Sequence, residues 1–181
     1  VGAGTFKPVT AADAREHAMH GEQIVVPRQA IVELAEQTEP VIVVGTTSLR
    51  TLESLFWYGV GLMQAHAAPK GPLQIHVSQW LPYEFDKQPP TRRAVFSYLA
   101  DLMHEKQQDV LKGETALMII PEYEVRVADA LITNFHQPKS TLMLLIASIL
   151  GERWKEVYHY ALANDFRFLS YGDSSLLWRH K

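Results

Sequence analysis

At 181 residues, 47% of them apolar, the chain has enough material for one well-packed domain, and 20% charged residues without a long low-complexity run argue against global disorder. Cysteine is absent, which excludes disulfides and thiolate chemistry and fits a reducing compartment. A net charge of −3 argues against nonspecific nucleic-acid binding by the whole surface. It leaves room for a local basic patch among Lys87, Arg92, Arg93, Lys106 and Lys112, residues that a solvated helix face explains equally well.

In VGAGTFKPV, Gly2 and Gly4 permit tight backbone, so a strand end turning into a loop is predicted. EHAMHGE follows, with Glu16, His17, His20 and Glu22 inside seven residues. On a helix His17 and His20 would share one face, compatible with metal ligation or paired acid–base work. Surface histidines beside a turn at Gly21 explain the segment as well, and zinc would need a third ligand that the missing H-E-x-x-H order does not supply. Pro27 suits the first turn of a helix to about Gln37, burying Ile31, Leu34 and Ala35. Val41 to Val44 reads as a buried strand. Gly45, Thr46, Thr47 and Ser48 then turn into a helix whose stripe is Leu49, Leu52, Leu55 and Phe56. GTTSLR has neither the spacing nor the lysine of a P-loop, and no G-x-G-x-x-G occurs.

From Trp57 to Pro90, Gly59, Gly61, Pro69, Gly71, Pro72, Pro82, Pro89 and Pro90 predict loops with a short strand at Leu73 to Val77. A helix is predicted from about Thr91 to Leu111, stopped by Gly113. His66, His76 and His104 read as ordinary surface or packed residues. Ala116 to Ile120 reads as a strand ended by Pro121, and Val125 and Val127, alternating with Glu124 and Arg126, as a half-exposed strand. Ala130 to Ile132 reads as a buried strand end, and Thr141 to Leu150 as a helix covered on all sides. That apolar run is too short to cross a bilayer, which takes roughly 20 residues. Between them Thr133, Asn134, His136, Lys139, Ser140 and Thr141 crowd one loop. Ser140 or Thr141 can cap the helix and Gly151 suits its end. The loop therefore brings N–H groups, a cation and an imidazole to a helix N-terminus, a natural place for a polar or anionic ligand; a capped core helix with a solvated loop fits the spacing too. Trp154, Val157, Tyr158, Ala161 and Leu162 mark an amphipathic helix closed by Asn164. Phe166 to Tyr171 reads as a strand and Gly172–Asp173 as a turn. Alternating strands and helices predict an α/β fold: a layered, largely parallel or mixed sheet flanked by helices, with the site on loops at strand C-terminal ends.

Four strings in order, VGAGTF with H-x-M-H-x-E, VGTTSLRTLES, DALITNFHQPKSTLMLL and FRFLSYGDSSLLW, resemble the signatures of the S-adenosylmethionine:tRNA ribosyltransferase-isomerases of queuosine biosynthesis. The resemblance implies transfer of the ribosyl group of S-adenosylmethionine, as donor substrate, onto 7-aminomethyl-7-deazaguanine at the wobble position of tRNA. Epoxyqueuosine forms; adenine and methionine leave. It implies catalytic candidates His17, His20, Glu22, His136 and Asp173, and substrate contacts at Thr46, Thr47, Ser48, Arg50, Glu53, Asn134, Phe135, Lys139, Ser140, Thr141 and Tyr171. A helix cap with an Arg50–Glu53 surface pair would account for the residue types of the second string. No metal and no membrane partner are expected, and a cytoplasmic monomer is.

The expected organisation is one α/β domain over 1–181, part of the family's major domain, with an insertion at about 57–113 where the family usually has a shorter connection. Glu122 stands where the family usually has glycine. Opening at Val1 without methionine, the sequence suggests a piece of a longer chain, because family members carry an N-terminal portion with a β-barrel segment before VGAGTF. The alternative reading is a non-catalytic fragment that binds adenosyl compounds or RNA and needs that portion for activity; a metal-dependent hydrolase using His17 and His20 is the third.

Overall fold

The computed structural model describes residues 18–65, 69–85 and 88–179. The sequence readings of VGAGTFKPV, Glu16, His17, His66 and Lys87 fall outside them. The described residues divide into two compact units, one of residues 40–50 and 118–179, the other drawn from residues 19–39 and 51–117. Both carry a three-stranded sheet, and the fold is α/β with mixed sheets flanked by helices.

In the first unit, β2 (Ile42–Val44), β5 (Ala130–Asn134) and β6 (Ser174–Trp178) lie in the order β2-β5-β6. β2 runs parallel to β5, with Val44 opposite Ile132, and β6 runs antiparallel, with Ser174 opposite Asn134. Val43, Leu131 and Leu177 point into the core. Helix α4 (Thr141–Leu150) buries Leu142, Met143, Leu145, Ile146, Ala147, Ile149 and Leu150, the covering expected from its unbroken apolar run. Ser140 caps it, its hydroxyl accepting the Met143 N–H at 3.3 Å, and Gly151 ends it at φ 57°. After a short 3₁₀ turn comes α5 (Trp154–Ala163), which buries Tyr158 and Ala161.

In the second unit, β1 (Glu22–Pro27) pairs antiparallel with β4 (Val110–Thr115), and β3 (Gln74–Val77) pairs parallel with β4. Strict alternation buries Glu22, Ile24 and Val26 on one face of β1. Helix α1 (Arg28–Glu36) packs against α3 (Arg92–Glu105). Helix α2 (Thr46–Gln64) starts in the first unit and passes after Arg50 into the second.

Several local expectations are corrected. Ala18–Gly21 has no regular structure and a strand starts at Glu22, so His20 is not on a helix. The helix after Gly45 runs on through Gly59 and Gly61 to Gln64. A Cβ at Gly59 would lie 2.5 Å from Val95 Cγ1, so glycine lets α2 and α3 approach there without displacing the buried Val95 side chain. The helix from Thr91 stops at Glu105, and Val110–Thr115 is a central strand. Gly113 is therefore no helix stop: it faces Ile75, whose carbonyl oxygen a Cβ would approach to 1.9 Å. Residues 116–120 and 123–127 form no strand although Leu117, Met118, Ile119, Val125 and Val127 are buried. Residues 166–173 form a loop, and the strand follows at Ser174.

Candidate substrate site

Parallel pairing fixes which loops share an edge. β2 and β5 both end at the same side of their sheet, where the Gly45 N–H donates to the Ile132 carbonyl at 2.9 Å. Antiparallel β6 begins at that side. Three of the sequence strings, Thr46–Arg50, Asn134–Thr141 and Tyr171–Asp173, are thereby brought to one sheet edge.

Gly45 takes φ 87°, which turns the chain directly from β2 into α2, whose first residues Thr46 and Thr47 are half-buried and Ser48 exposed. No acidic residue stands in the first turn of α2 or of α4, so no carboxylate there offsets the positive end of either helix dipole. Arg50 is 5% exposed and Glu53 fully buried, which overturns a surface pair. Glu53 belongs to the second unit.

Asn134 closes the edge. Its Nδ2 group donates to the Gly172 and Asp173 carbonyls, each at 3.4 Å, and to Ser174 Oγ at 3.3 Å. Phe135 is buried, its ring 5.5 Å from Tyr158, 5.5 Å from Phe166 and 5.4 Å from Phe168. His136 is buried as well; Nε2 hydrogen-bonds with Thr133 Oγ1 at 3.0 Å, and its backbone N–H donates to the Tyr158 hydroxyl at 3.1 Å. Desolvation pushes the His136 pKa down to about 4, so the ring is neutral near pH 7. Burial pushes the Tyr158 phenol up, against the opposite pull of the His136 N–H. Lys139 is exposed at φ 58°, Ser140 is occupied as the α4 cap, and Thr141 is half-buried.

Asp173 is engaged inside its own loop. Its carboxylate accepts the Arg167 N–H at 2.7 Å and a guanidinium N–H at 3.4 Å, and those two bonds hold its pKa below the usual carboxylate value. Tyr171 stands clear at 96% exposure.

His20 and Glu22 lie in the second unit. His20 Nε2 is 3.7 Å from Glu22 Oε1, and Glu22 is 6% exposed at the head of β1. Among the described residues no group of three or more His, Asp or Glu is placed to hold a metal ion, and no helix is long and apolar enough to cross a membrane.

Sequence reasoning missed Tyr158, Arg167 and Asp129. Tyr158 showed only as one apolar position of a helix. Asp129 accepts the Val41 N–H at 2.9 Å and pairs with Arg179 at 3.5 Å, joining the start of β2 to the end of β6. Its only signal was a charged residue directly before an apolar strand.

The chain is 38% identical over 183 residues to the S-adenosylmethionine:tRNA ribosyltransferase-isomerase of Xanthomonas oryzae, covering 98% of this chain and 40% of that protein. It is 36% identical over 181 residues to the enzyme of the same name from Aromatoleum aromaticum, covering 98% and 39%. The chain thus spans about 40% of the length of the curated relatives it matches. The crystal structure of S-adenosylmethionine tRNA ribosyltransferase from Thermotoga maritima superposes with a TM-score of 0.53 at 26% identity, over 85% of this chain and 39% of that one. The model of the queuosine biosynthesis protein family matches residues 1–177, and with that match the chain belongs to this family.

Proposed function

We propose that the chain carries part of the active site of a tRNA-modifying enzyme. The reaction moves and isomerises the ribosyl group of S-adenosylmethionine onto 7-aminomethyl-7-deazaguanine in tRNA, giving epoxyqueuosine and releasing adenine and methionine. The observation that supports this reading is the shared sheet edge: three strings that resemble the family's signatures are far apart in sequence, yet strand register brings them to one place. A site at the C-terminal ends of parallel strands, beside two helix N-termini, suits a polar substrate rich in oxygen.

Such a transfer needs a base beside the sulfonium, an acid for the departing adenine, and groups that hold ribose oxygens and the incoming amine. Thr46, Thr47, Asn134 and Lys139 are proposed to hold oxygens. His136, neutral and hydrogen-bonded on both ring side and backbone, is proposed to position the loop rather than to carry a proton. His20 with Glu22, and His17, are the proposed proton carriers. Asp173 is proposed to act by shaping its loop through Arg167.

Nucleoside mass spectrometry of precursor-bearing tRNA, incubated with S-adenosylmethionine and either this chain or a full-length family chain carrying it, tests the reading. Epoxyqueuosine from both would make these residues sufficient. From the longer chain alone, it would make the remaining portion necessary. Product from neither, with RNA and donor verified intact, would overturn the transferase reading in favour of a module that binds adenosyl compounds or RNA.

A further inference from the structure

An aromatic ring left in water forgoes the stabilisation of burial, so turns usually carry small polar residues at their tips. Residues 166–173 do the opposite. The Gly172 N–H donates to the Leu169 carbonyl at 2.9 Å, closing a turn with Ser170 and Tyr171 at its centre. Tyr171 is 96% exposed, the most exposed large apolar side chain among the described residues.

The backbone beneath that ring is held from several sides. Phe166 and Phe168 anchor it against Phe135. The Leu169 N–H donates to the Phe135 carbonyl at 2.8 Å, the Asp173 N–H to the Arg167 carbonyl at 2.8 Å, and Asn134 ties Gly172 to the end of β5. Leu169 takes φ 67°, a left-handed conformation unfavourable for a branched side chain. Gly172 has no room for a side chain, since a Cβ would lie 2.3 Å from the Arg167 carbonyl oxygen. A loop that needed only to connect α5 to β6 would have no use for this combination of anchors, strain and outward ring.

We propose that Tyr171 is a preorganised stacking platform for an unpaired base of the RNA substrate. The inference rests on the tRNA-modifying reading above and names a partner for one residue of that site. A small adenosyl ligand laid on so exposed a ring would keep most of its surface in water, whereas small-molecule sites bury most of theirs. An unpaired base, delivered by an RNA already held along its backbone, needs only one free aromatic face. Arg167, whose side chain is 74% exposed and whose guanidinium lies 3.4 Å from the Asp173 carboxylate, supplies a cation for a phosphate beside that base.

The test is equilibrium binding of a hairpin RNA with a fluorescent adenine analogue in its loop, quenched on stacking, to the full-length protein. Tyr171→Ala weakens binding about 5- to 140-fold and abolishes the quench, the range expected for one lost base–aromatic stack. Tyr171→Phe keeps both, because the ring and not the hydroxyl makes the contact. Affinity for S-adenosylmethionine stays unchanged in both variants, and so does the slope of log Kd against log salt, since no phosphate contact is removed. Unchanged RNA affinity in Tyr171→Ala, an equal loss in Tyr171→Phe, or a loss of S-adenosylmethionine binding with RNA binding intact would each overturn the platform and leave the transferase reading standing. Failure of the unaltered protein to bind the hairpin at all would overturn both.

Discussion

His136 and Thr133 face each other across the end of β5, ring Nε2 to hydroxyl Oγ1 at 3.0 Å, in surroundings that leave His136 only 7% exposed. The polar loop that looked from sequence like a source of titrating groups thus holds its imidazole as a fixed, uncharged part of the scaffold.

A pH dependence of stability follows. An unfolded histidine takes up its proton near 6.5, and His136 in the folded chain does so only at about 4. Between those values the unfolded chain binds more protons. Stability therefore falls as pH drops through this window, by roughly 3 kcal/mol in total, and this residue contributes no pH dependence above it. Denaturant melts near neutral pH and at about pH 4.5 should show the fall in the unaltered protein and a smaller one in His136→Gln. Equal falls in both would remove His136 as the cause.

Tyr158→Phe keeps the ring that packs on Phe135 at 5.5 Å but removes the oxygen that accepts the His136 N–H. A buried donor left without its partner costs about 1–3 kcal/mol. The same melts measure it; a change below a few tenths of a kcal/mol would mean that another acceptor replaces the phenol.

Gly113→Ala should be among the most damaging single changes in the second unit. The added methyl would meet the Ile75 carbonyl oxygen at 1.9 Å, and the obstacle is backbone, which cannot rotate away. Either β3 separates from β4 or the strand buckles, at a cost of more than about 3 kcal/mol. Amide exchange at Gln74–Val77 would report the separation directly; a variant with native protection there would show that the sheet gives way more easily than its geometry indicates.

His20→Ala should lower turnover by about 10²–10⁴ if the His20–Glu22 pair moves protons in the reaction. The pair is set apart by chemistry rather than by strain: a half-exposed imidazole 3.7 Å from a buried carboxylate. A near-normal rate in the variant would remove His20 from the mechanism.

Legibility in the sequence followed the range of the interactions. Helix α4, its Ser140 cap and its Gly151 stop were readable because each is decided within a few residues. Val110–Thr115 was not, because it is a strand only through partners at Glu22–Pro27 and Gln74–Val77, far away in sequence. Gly59 read as a breaker although its role is to let Val95 approach. Val125 and Val127 alternate like a strand, yet they belong to a buried irregular segment whose Val125 carbonyl accepts a hydrogen bond from Arg179. At the candidate site the residues were legible as types and their present engagements were not. Phe135 packs in an aromatic cluster and Asp173 holds Arg167, and both roles depend on the 166–173 loop folding back on β5.

The most direct measurement uses S-adenosylmethionine labelled in its ribosyl carbons, incubated with precursor-bearing tRNA and the full-length protein that carries this chain. Digestion and nucleoside analysis should find the label in epoxyqueuosine, with unlabelled adenine released in equal amount. Label that stays wholly outside the RNA, while donor and protein remain intact, would contradict a ribosyl transfer by this protein.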